Sequence, residues 1–253
     1  MQSTQPPSWP YLANLAHWLR RTYQACNTII KDQLKARNMK VVFCLPGKTF
    51  SSNYFNAWNS TCVALQQKGI SYAYSMSYDP VVYYTRNRIL GGNNTMGKTQ
   101  QPWNGQISYD RMVWIDSDMV WKPDDVLSLL MHDKPIVAGV YPMADGNNYP
   151  VVENLDYAHL ANVGVFQFMD KTAMSAKTQP FKASYTGFGF LAIKAGVVET
   201  MEYPWFQPRW VSNGQFHDFC AEDVGFCWAA QELGHELWID PAIKVGHEKT
   251  VIL

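Results

Sequence analysis

The chain has 253 residues, 47% hydrophobic and 17% charged, with 21 Lys and Arg balanced by 21 Asp and Glu. This length admits one large domain or two small ones, and so high an apolar fraction excludes a chain that is mainly disordered. Zero net charge argues against nonspecific attraction to nucleic acid or an anionic membrane, and no apolar run approaches the ~20 residues that span a bilayer. Met1 to Pro10 is polar and proline-rich, unlike a signal peptide. Cys26, Cys44, Cys62, Cys220 and Cys227 are odd in number and contain no C-x-x-C pair, so neither a disulfide framework nor a zinc site is expected. A cytoplasmic protein with buried thiols is the expectation. The aromatic load of 10 Trp, 14 Tyr and 12 Phe is high, and rings serve cores as well as flat ligands.

In chain order the first element is a helix over residues 11–38. Leu12, Leu15, Leu19, Tyr23, Cys26, Ile30 and Leu34 recur every three or four residues and form one apolar stripe. We read residues 1–38 as an N-terminal extension whose helix packs on the domain's own sheet, with pairing of two copies into a homodimer as the alternative. Its basic residues, Arg20, Arg21, Lys31, Lys35 and Arg37, form a solvated face. Residues 39–253 read as a single domain.

Met39 to Leu45 is a continuous apolar run and predicts a buried strand, ending at Pro46-Gly47-Lys48. A helix is expected from Phe55 to Lys68, closed by Gly69, then a strand from Ile70 to Met76 and a helix from Val81 to Leu90. Arg111 to Ile115 predicts the next strand, Pro123 to His132 a helix opened by proline and acids, and Pro135 to Tyr141 another strand. Further on, strands are expected at Val163 to Phe168 and Phe188 to Ile193, and a short helix at Ala195 to Met201. A longer helix is expected from Glu222 to Leu233, and a last strand at Glu236 to Ile239. Ile243 to Val245 then leads into Gly246-His247-Glu248-Lys249. Strands alternating with helices imply an α/β fold with a mostly parallel sheet, whose ligands bind at the carboxyl ends of the strands.

The polar motifs fall at those ends. With 14 aspartates, one D-x-D triplet is expected by chance, so Asp116-Ser117-Asp118 gains meaning only by ending an apolar strand. Two carboxylates one residue apart on an extended backbone point the same way and suit Mg2+ or Mn2+; a solvated acidic turn is the alternative. Glu222-Asp223 either interacts with the dipole of the helix it opens or supplies a general base. His247 is either a surface residue or a metal ligand, and Lys249 is a candidate phosphate contact.

The series Leu45-Pro46-Gly47-Lys48, Thr85-Arg86-Asn87, Val113-Trp114-Ile115-Asp116-Ser117-Asp118, Gly187-Phe188-Gly189-Phe190, Glu222-Asp223 and Gly246-His247 resembles that of GT-A-fold (Rossmann-like) glycosyltransferases. It is most similar to the family 2-like enzymes of bacteria, phages and large viruses. The resemblance spans residues 39–250 and leaves the N-terminal helix outside. It implies a Mn2+- or Mg2+-dependent transfer of one sugar from a nucleotide-diphosphate sugar, a UDP-sugar favoured, to a hydroxyl of a glycan, a glycoprotein or modified DNA. By the same resemblance, Asp116, Asp118 and His247 are the metal ligands. Pro46, Gly47, Lys48, Asp79, Arg86, Ser117 and Lys249 surround the donor, and Gly187 and Gly189 allow the donor sugar close approach. Asp223 is the base of an inverting displacement, with Glu222 in reserve. Trp205 and Phe206 are read as an acceptor platform or as core packing.

Departures from the family pattern narrow this. Gln207-Pro208-Arg209-Trp210 is only a shortened echo of the Q-x-x-R-W motif of processive members. A sugar nucleotidyltransferase should carry a G-x-G-T-R loop after the first strand, which is absent. Transfer to a hydroxymethylated DNA base is the main alternative, and a sugar nucleotidyltransferase and a carbohydrate-binding module without catalysis are the further ones.

Overall fold

A computed structural model describes residues 38–212 and 217–249. The expected N-terminal helix, its homodimer and the basic residues upstream of Asn38 lie outside them. In chain order the strands are β1 (Lys40–Pro46), β2 (Ser71–Ser77), β3 (Arg111–Ile115), β4 (Met119–Val120), β5 (Ile136–Val140), β6 (Val151–Val152), β7 (Phe181–Lys182), β8 (Tyr185–Thr186), β9 (Phe190–Lys194), β10 (Arg209–Ser212), β11 (His217–Cys220), β12 (Leu237–Lys244) and β13 (Gly246–His247). The helices are α1 (Ser52–Gln67), α2 (Val82–Ile89), α3 (Pro123–Met131), α4 (Tyr157–Val163), α5 (Lys171–Ser175) and α6 (Glu222–Glu232). None of them is long and apolar enough to cross a membrane.

Seven strands form the central sheet in the order β2-β1-β3-β9-β5-β12-β7. The pairs β1–β2, β1–β3 and β5–β12 are parallel, whereas β9 runs antiparallel to both β3 and β5, and β7 antiparallel to β12. This is the α/β, Rossmann-like architecture expected, with one reversed strand in its middle. The reversal positions the site: the residues preceding β9 arrive at the same sheet edge as those following β1, β3 and β5.

Continuous apolar runs become central strands because both faces are covered. On β1, Val42 and Cys44 face a core shared with Met112 and Trp114, and α2 and α6 cover it with Ile89, Val224, Phe226 and Cys227. Val41, Phe43 and Leu45 face the other core, which α1 and α3 close with Tyr54, Leu65, Val126 and Leu129. Helix α1 starts earlier than its apolar spacing implies because the Ser51 hydroxyl accepts the Tyr54 N–H at 3.1 Å. Helix α3 starts at its proline, and the Asp125 carboxylate accepts the Lys122 N–H at 2.8 Å.

Three expectations need correction. Val163 to Phe168 is not a strand: Asp156 caps α4 by accepting the His159 N–H at 2.9 Å, and Gly164, at φ 78°, ends it. Val163 and Val165 are exposed, and only Phe166 and Phe168 pack inward, against Tyr185. Ala195 to Met201 forms only a short 3-10 turn at Val198–Thr200. The last strand does not stop at Ile239 but continues to Lys244, with its register on β5 shifting between Ile239 and Lys244 across Pro241.

Gly225 of α6 has no room for a side chain, because a Cβ there would run into the Gln207 carbonyl. Backbone cannot swing aside as a side chain can. Gly225→Ala is therefore expected to lower unfolding free energy by about 1–3 kcal/mol, the usual cost of overpacking, as read from urea denaturation; an unchanged midpoint would show that α6 and the 207–209 segment separate freely.

Candidate active site at the carboxyl ends of the strands

A cavity of about 260 Å³ opens where β1, β2 and β3 end, lined by Pro46, Gly47, Asp79, Arg86, Ser117 and Asp118 among others. Gly47 is required by close approach, since a Cβ there would stand 2.6 Å from Ser117 Cβ. The loop after β1 is thereby pressed against the acidic triplet. Lys48 is exposed, its ammonium 5.7 Å from the Tyr78 ring centre.

Arg86 is the centre of the site. Its α2 position is buried, and its guanidinium spans two elements far apart in sequence. Nη1 and Nη2 each donate to one oxygen of Asp116 at 3.1 Å, and Nε donates to Glu222 Oε1 at 3.0 Å. Below it lie the rings of Trp114 and Phe188, 5.5 and 5.2 Å away. The two carboxylates hold the guanidinium charged, well above its ordinary range, against the effect of burial. For Asp116 burial is the larger influence and pushes its carboxyl up, while Arg86 pulls it back. The neighbouring Asn87 turns into the core, where its amide donates to the Phe206 carbonyl at 2.7 Å. One residue of Thr85-Arg86-Asn87 thus serves the site and the next serves the fold.

The expected trio of Asp116, Asp118 and His247 is not gathered as a trio. The extended backbone that would aim both carboxylates one way ends at Ile115; Asp116 to Met119 is a turn closed by the Met119 N–H on the Asp116 carbonyl at 3.1 Å. Asp116 consequently turns to Arg86, which takes both its oxygens. Asp118 meets His247 instead, Oδ2 to Nε2 at 3.1 Å, because β13 pairs with β4 and sets His247 opposite Met119. Lys249 Nζ donates to the same Asp118 oxygen at 2.6 Å. Among the described residues no group of three or more His, Cys, Asp or Glu side chains converges on one point.

The His247–Asp118 pair nevertheless fits a cation. His247 Nδ1 lies 2.7 Å from the Pro142 carbonyl, which can only accept, so Nδ1 carries a proton. In the neutral ring Nε2 is then a bare lone pair turned towards a carboxylate oxygen. A backbone carbonyl that fixes the tautomer in this way is the usual partner of a metal-ligating histidine. One carboxylate and one imidazole leave most positions of an octahedral ion to phosphate and water, as Mg2+ and Mn2+ prefer.

The adjacent acids of α6 have different surroundings. Glu222 is buried and committed to Arg86. Asp223 accepts the Tyr185 hydroxyl at 2.8 Å and its own neighbour's N–H, from Val224, at 2.8 Å. Burial, reinforced by the Glu222 charge, raises the Asp223 carboxyl to about 6. Tyr141, at the end of β5, completes the arrangement: its hydroxyl accepts the Gly189 N–H at 3.0 Å, and its ring stands edge-on to His247 at 5.3 Å. Neither tyrosine was singled out by motif; the only sign of Tyr141 was its place at the end of a buried strand.

Other expected site residues are placed differently. Asp79 lines the cavity, but its carboxylate accepts from Val81 N–H at 3.0 Å and from Arg88 at 2.7 Å. Gly187 and Gly189 do make room for something: the Tyr141 hydroxyl occupies the space a Cβ at Gly187 would need, and its ring the space at Gly189. Trp205 and Phe206 are only 1% and 0% exposed, and Phe206 stacks on Phe226 at 4.8 Å. They are core, and the acceptor-platform reading is corrected accordingly.

No protein-family model and no curated protein sequence matches the chain. Among solved structures, that of GalNAc-T7 with UDP, GalNAc and Mn2+ has a TM-score of 0.44 at 10% identity, covering 84% of this chain and 44% of that one. The inositol-1-phosphate CTP transferase from T. maritima has a TM-score of 0.39 at 9% identity, covering 83% and 89%. The chain thus spans less than half the length of the first of these.

Removing one member of a buried ion cluster leaves the others uncompensated. Arg86→Met, similar in length but uncharged, is expected to cost about 3–5 kcal/mol and to lower the thermal midpoint by on the order of 10 °C. Arg86→Lys, which cannot reproduce the fork to Asp116 and the bond to Glu222 together, should fall between the two. A wild-type midpoint in Arg86→Met would mean that the cluster does not tie α2, β3 and α6.

Proposed function

We propose that the protein is a glycosyltransferase dependent on Mn2+ or Mg2+, moving one sugar from a nucleotide-diphosphate sugar, a UDP-sugar favoured, to a hydroxyl acceptor with inversion. The observation that carries this reading is the division of labour within one sheet edge. Asp118 and His247 form a cation-ready pair beside the cavity after β1 and β3, while Asp223 is kept apart with a raised pKa. Asp118 and His247 would hold the cation, which when bound stabilises charge gathering on the departing diphosphate.

The chain's own residues supply the rest. Lys249, already on Asp118, exchanges that carboxylate for a phosphate oxygen as the donor enters, and the exposed Lys48 approaches from the opposite loop. Ser117 and Gly47 line the space that receives the nucleoside. Asp223 takes the proton from the acceptor hydroxyl as it attacks the anomeric carbon, and a carboxylate near 6 is both ionised at neutral pH and basic enough to serve. Glu222 holds Arg86 and is not the base. Tyr185 keeps the Asp223 oxygen oriented.

The deciding experiment is thermal denaturation with UDP-, GDP-, CMP- and TDP-linked sugars, each with Mn2+ and with EDTA. A metal-dependent rise with at least one is expected, and Asp118→Asn should abolish it. Stabilisation by a nucleoside triphosphate and a sugar phosphate, but by no nucleotide sugar, would favour nucleotidyl transfer instead.

Asp223 gives two further outcomes. Because the base acts ionised, kcat/KM should fall about tenfold per pH unit below about 6. The folded carboxyl binds its proton more tightly than the unfolded one, so above pH 6 its ionised form penalises the fold and protonation relieves the penalty. Asp223→Asn should therefore abolish transfer while raising, or at least preserving, the unfolding midpoint at pH 7.5; a large loss of stability would mark the residue as structural.

A further inference from the structure

We propose that the apolar groove between α1 and the sheet edge at β2 is the docking site of this chain's own N-terminal segment, with Cys26, Ile30 and Leu34 laid along β2.

The groove is built from both elements. A cavity of about 210 Å³ is lined by Leu45, Phe50, Phe55, Trp58, Tyr74 and Met76 among others. Side chains alternate along β2, so Tyr72, Tyr74 and Met76 share the face towards α1. There Trp58 stands edge-on to Tyr72 at 6.2 Å and to Tyr74 at 6.0 Å. These contacts leave the surface open: Phe55 and Tyr74 are each 60% exposed, and Met76 is 49% exposed. Strand β2 also ends the seven-stranded sheet, and its outer edge pairs with no other strand among the described residues.

Composition marks this surface as one that is covered. Thr49 to Gln67 and Ile70 to Tyr78 contain no charged residue. An outer helix ordinarily presents charges to water, and an exposed edge strand is ordinarily guarded by lysine, proline or a bulge. Neither device is present here, since β2 pairs with β1 in unbroken register from Ser71 to Ser77. Aromatic residues without charges among them are the composition of an interface core.

The occupant follows from where the chain enters. Residues 1–37 join the described residues at Asn38, and the Met39 carbonyl accepts the Ser71 N–H at 3.0 Å, so the segment arrives beside the first residue of β2. A helix advances ~6 Å in four residues and a strand ~6.6 Å in two. On a helix running back from Asn38, Leu34, Ile30 and Cys26 therefore keep step with Tyr72, Tyr74 and Met76. Tethering holds the segment at an effective concentration of about 1 mM, which favours its own groove over that of a second chain. The contact also reaches the site. Phe50 lines the groove, and it is a ring that a Cβ on Gly47 would meet at 3.2 Å, so a docked segment backs the loop pressed against the acidic triplet.

Disulfide trapping in the full chain tests this, with Cys62 of α1 replaced by serine so that it cannot compete. In Met76→Cys under mild oxidation, an intramolecular disulfide between Cys26 and the introduced thiol is expected. It should form at least tenfold faster than with Asn147→Cys, an exposed position after β5, four strands from β2. A disulfide joining two chains would assign the groove to a second copy, and formation no faster than the control would leave the segment undocked; either overturns the proposal. Should Met76→Cys not fold, trypsin cleavage at Lys31, Lys35 and Arg37 decides. Docking predicts slow cleavage of the wild type at a rate independent of protein concentration, and cleavage at least tenfold faster in Ile30→Asp, which leaves the groove intact. Equal rates in the two proteins, or protection that grows with concentration, count against it.

Discussion

The fork of Arg86 is the interaction on which the site depends. One buried guanidinium holds Asp116 at the end of β3 and Glu222 at the start of α6, so helices α2 and α6 are tied to the strand that carries the acidic triplet. A lysine could not do this: a point charge satisfies one carboxylate well, whereas the planar fork meets one side-on and reaches the other through Nε. The pairing also explains why the buried charges of Arg86 and Glu222 are tolerated beside the half-buried Asp116. Each is hydrogen-bonded, and aromatic faces of Trp114 and Phe188 receive the cation's flat side.

That cluster sets the chemistry of its neighbours. One cation against two carboxylates leaves a net negative charge in the interior, and Asp223, next to it and buried, is pushed up to about 6. The same cluster removes Asp116 from competition for a cation and leaves Asp118 as the acid that faces His247 and Lys249. Two aspartates one residue apart thus end with different partners at one cavity, Asp116 held by the arginine fork and Asp118 shared by His247 and Lys249.

The fold was largely legible because buried parallel strands write themselves as unbroken apolar runs; Arg111–Ile115 and the helix starting at Pro123 fall where their patterns place them. What was not legible depended on contacts distant in sequence. The reversal of β9 cannot be read from its composition, since a buried strand looks alike in either direction. The divergence of Asp116 and Asp118 follows from the turn closed by Met119; Asp and Ser favour turns, but the apolar strand leading into the triplet left an extended reading equally open. His247 reached Asp118 through the two-residue ladder of β4 and β13, too short to leave a periodic signal. Tyr141 and Tyr185 were invisible for a similar reason: a tyrosine at a strand end is ordinary in sequence and becomes particular only when its hydroxyl finds Gly189 or Asp223.

The aromatic residues show the same limit most clearly, because here the choice between two neighbours decides the reading. Trp205 and Trp210 are five residues apart, and composition treats them alike. Trp205 directly precedes Phe206, whose backbone Asn87 pins, and lies in the core, whereas Trp210 sits on a ribbon whose period of two alternates its side chains between the protein and solvent. Val211 took the inward position. Since Arg209 and Cys220 flank it on the anchored face, Trp210 and Phe219 have only the outer face left. The two burials thus have different causes: Trp205 is drawn in with a backbone segment anchored by Asn87, and Trp210 is kept out by the strand face it occupies.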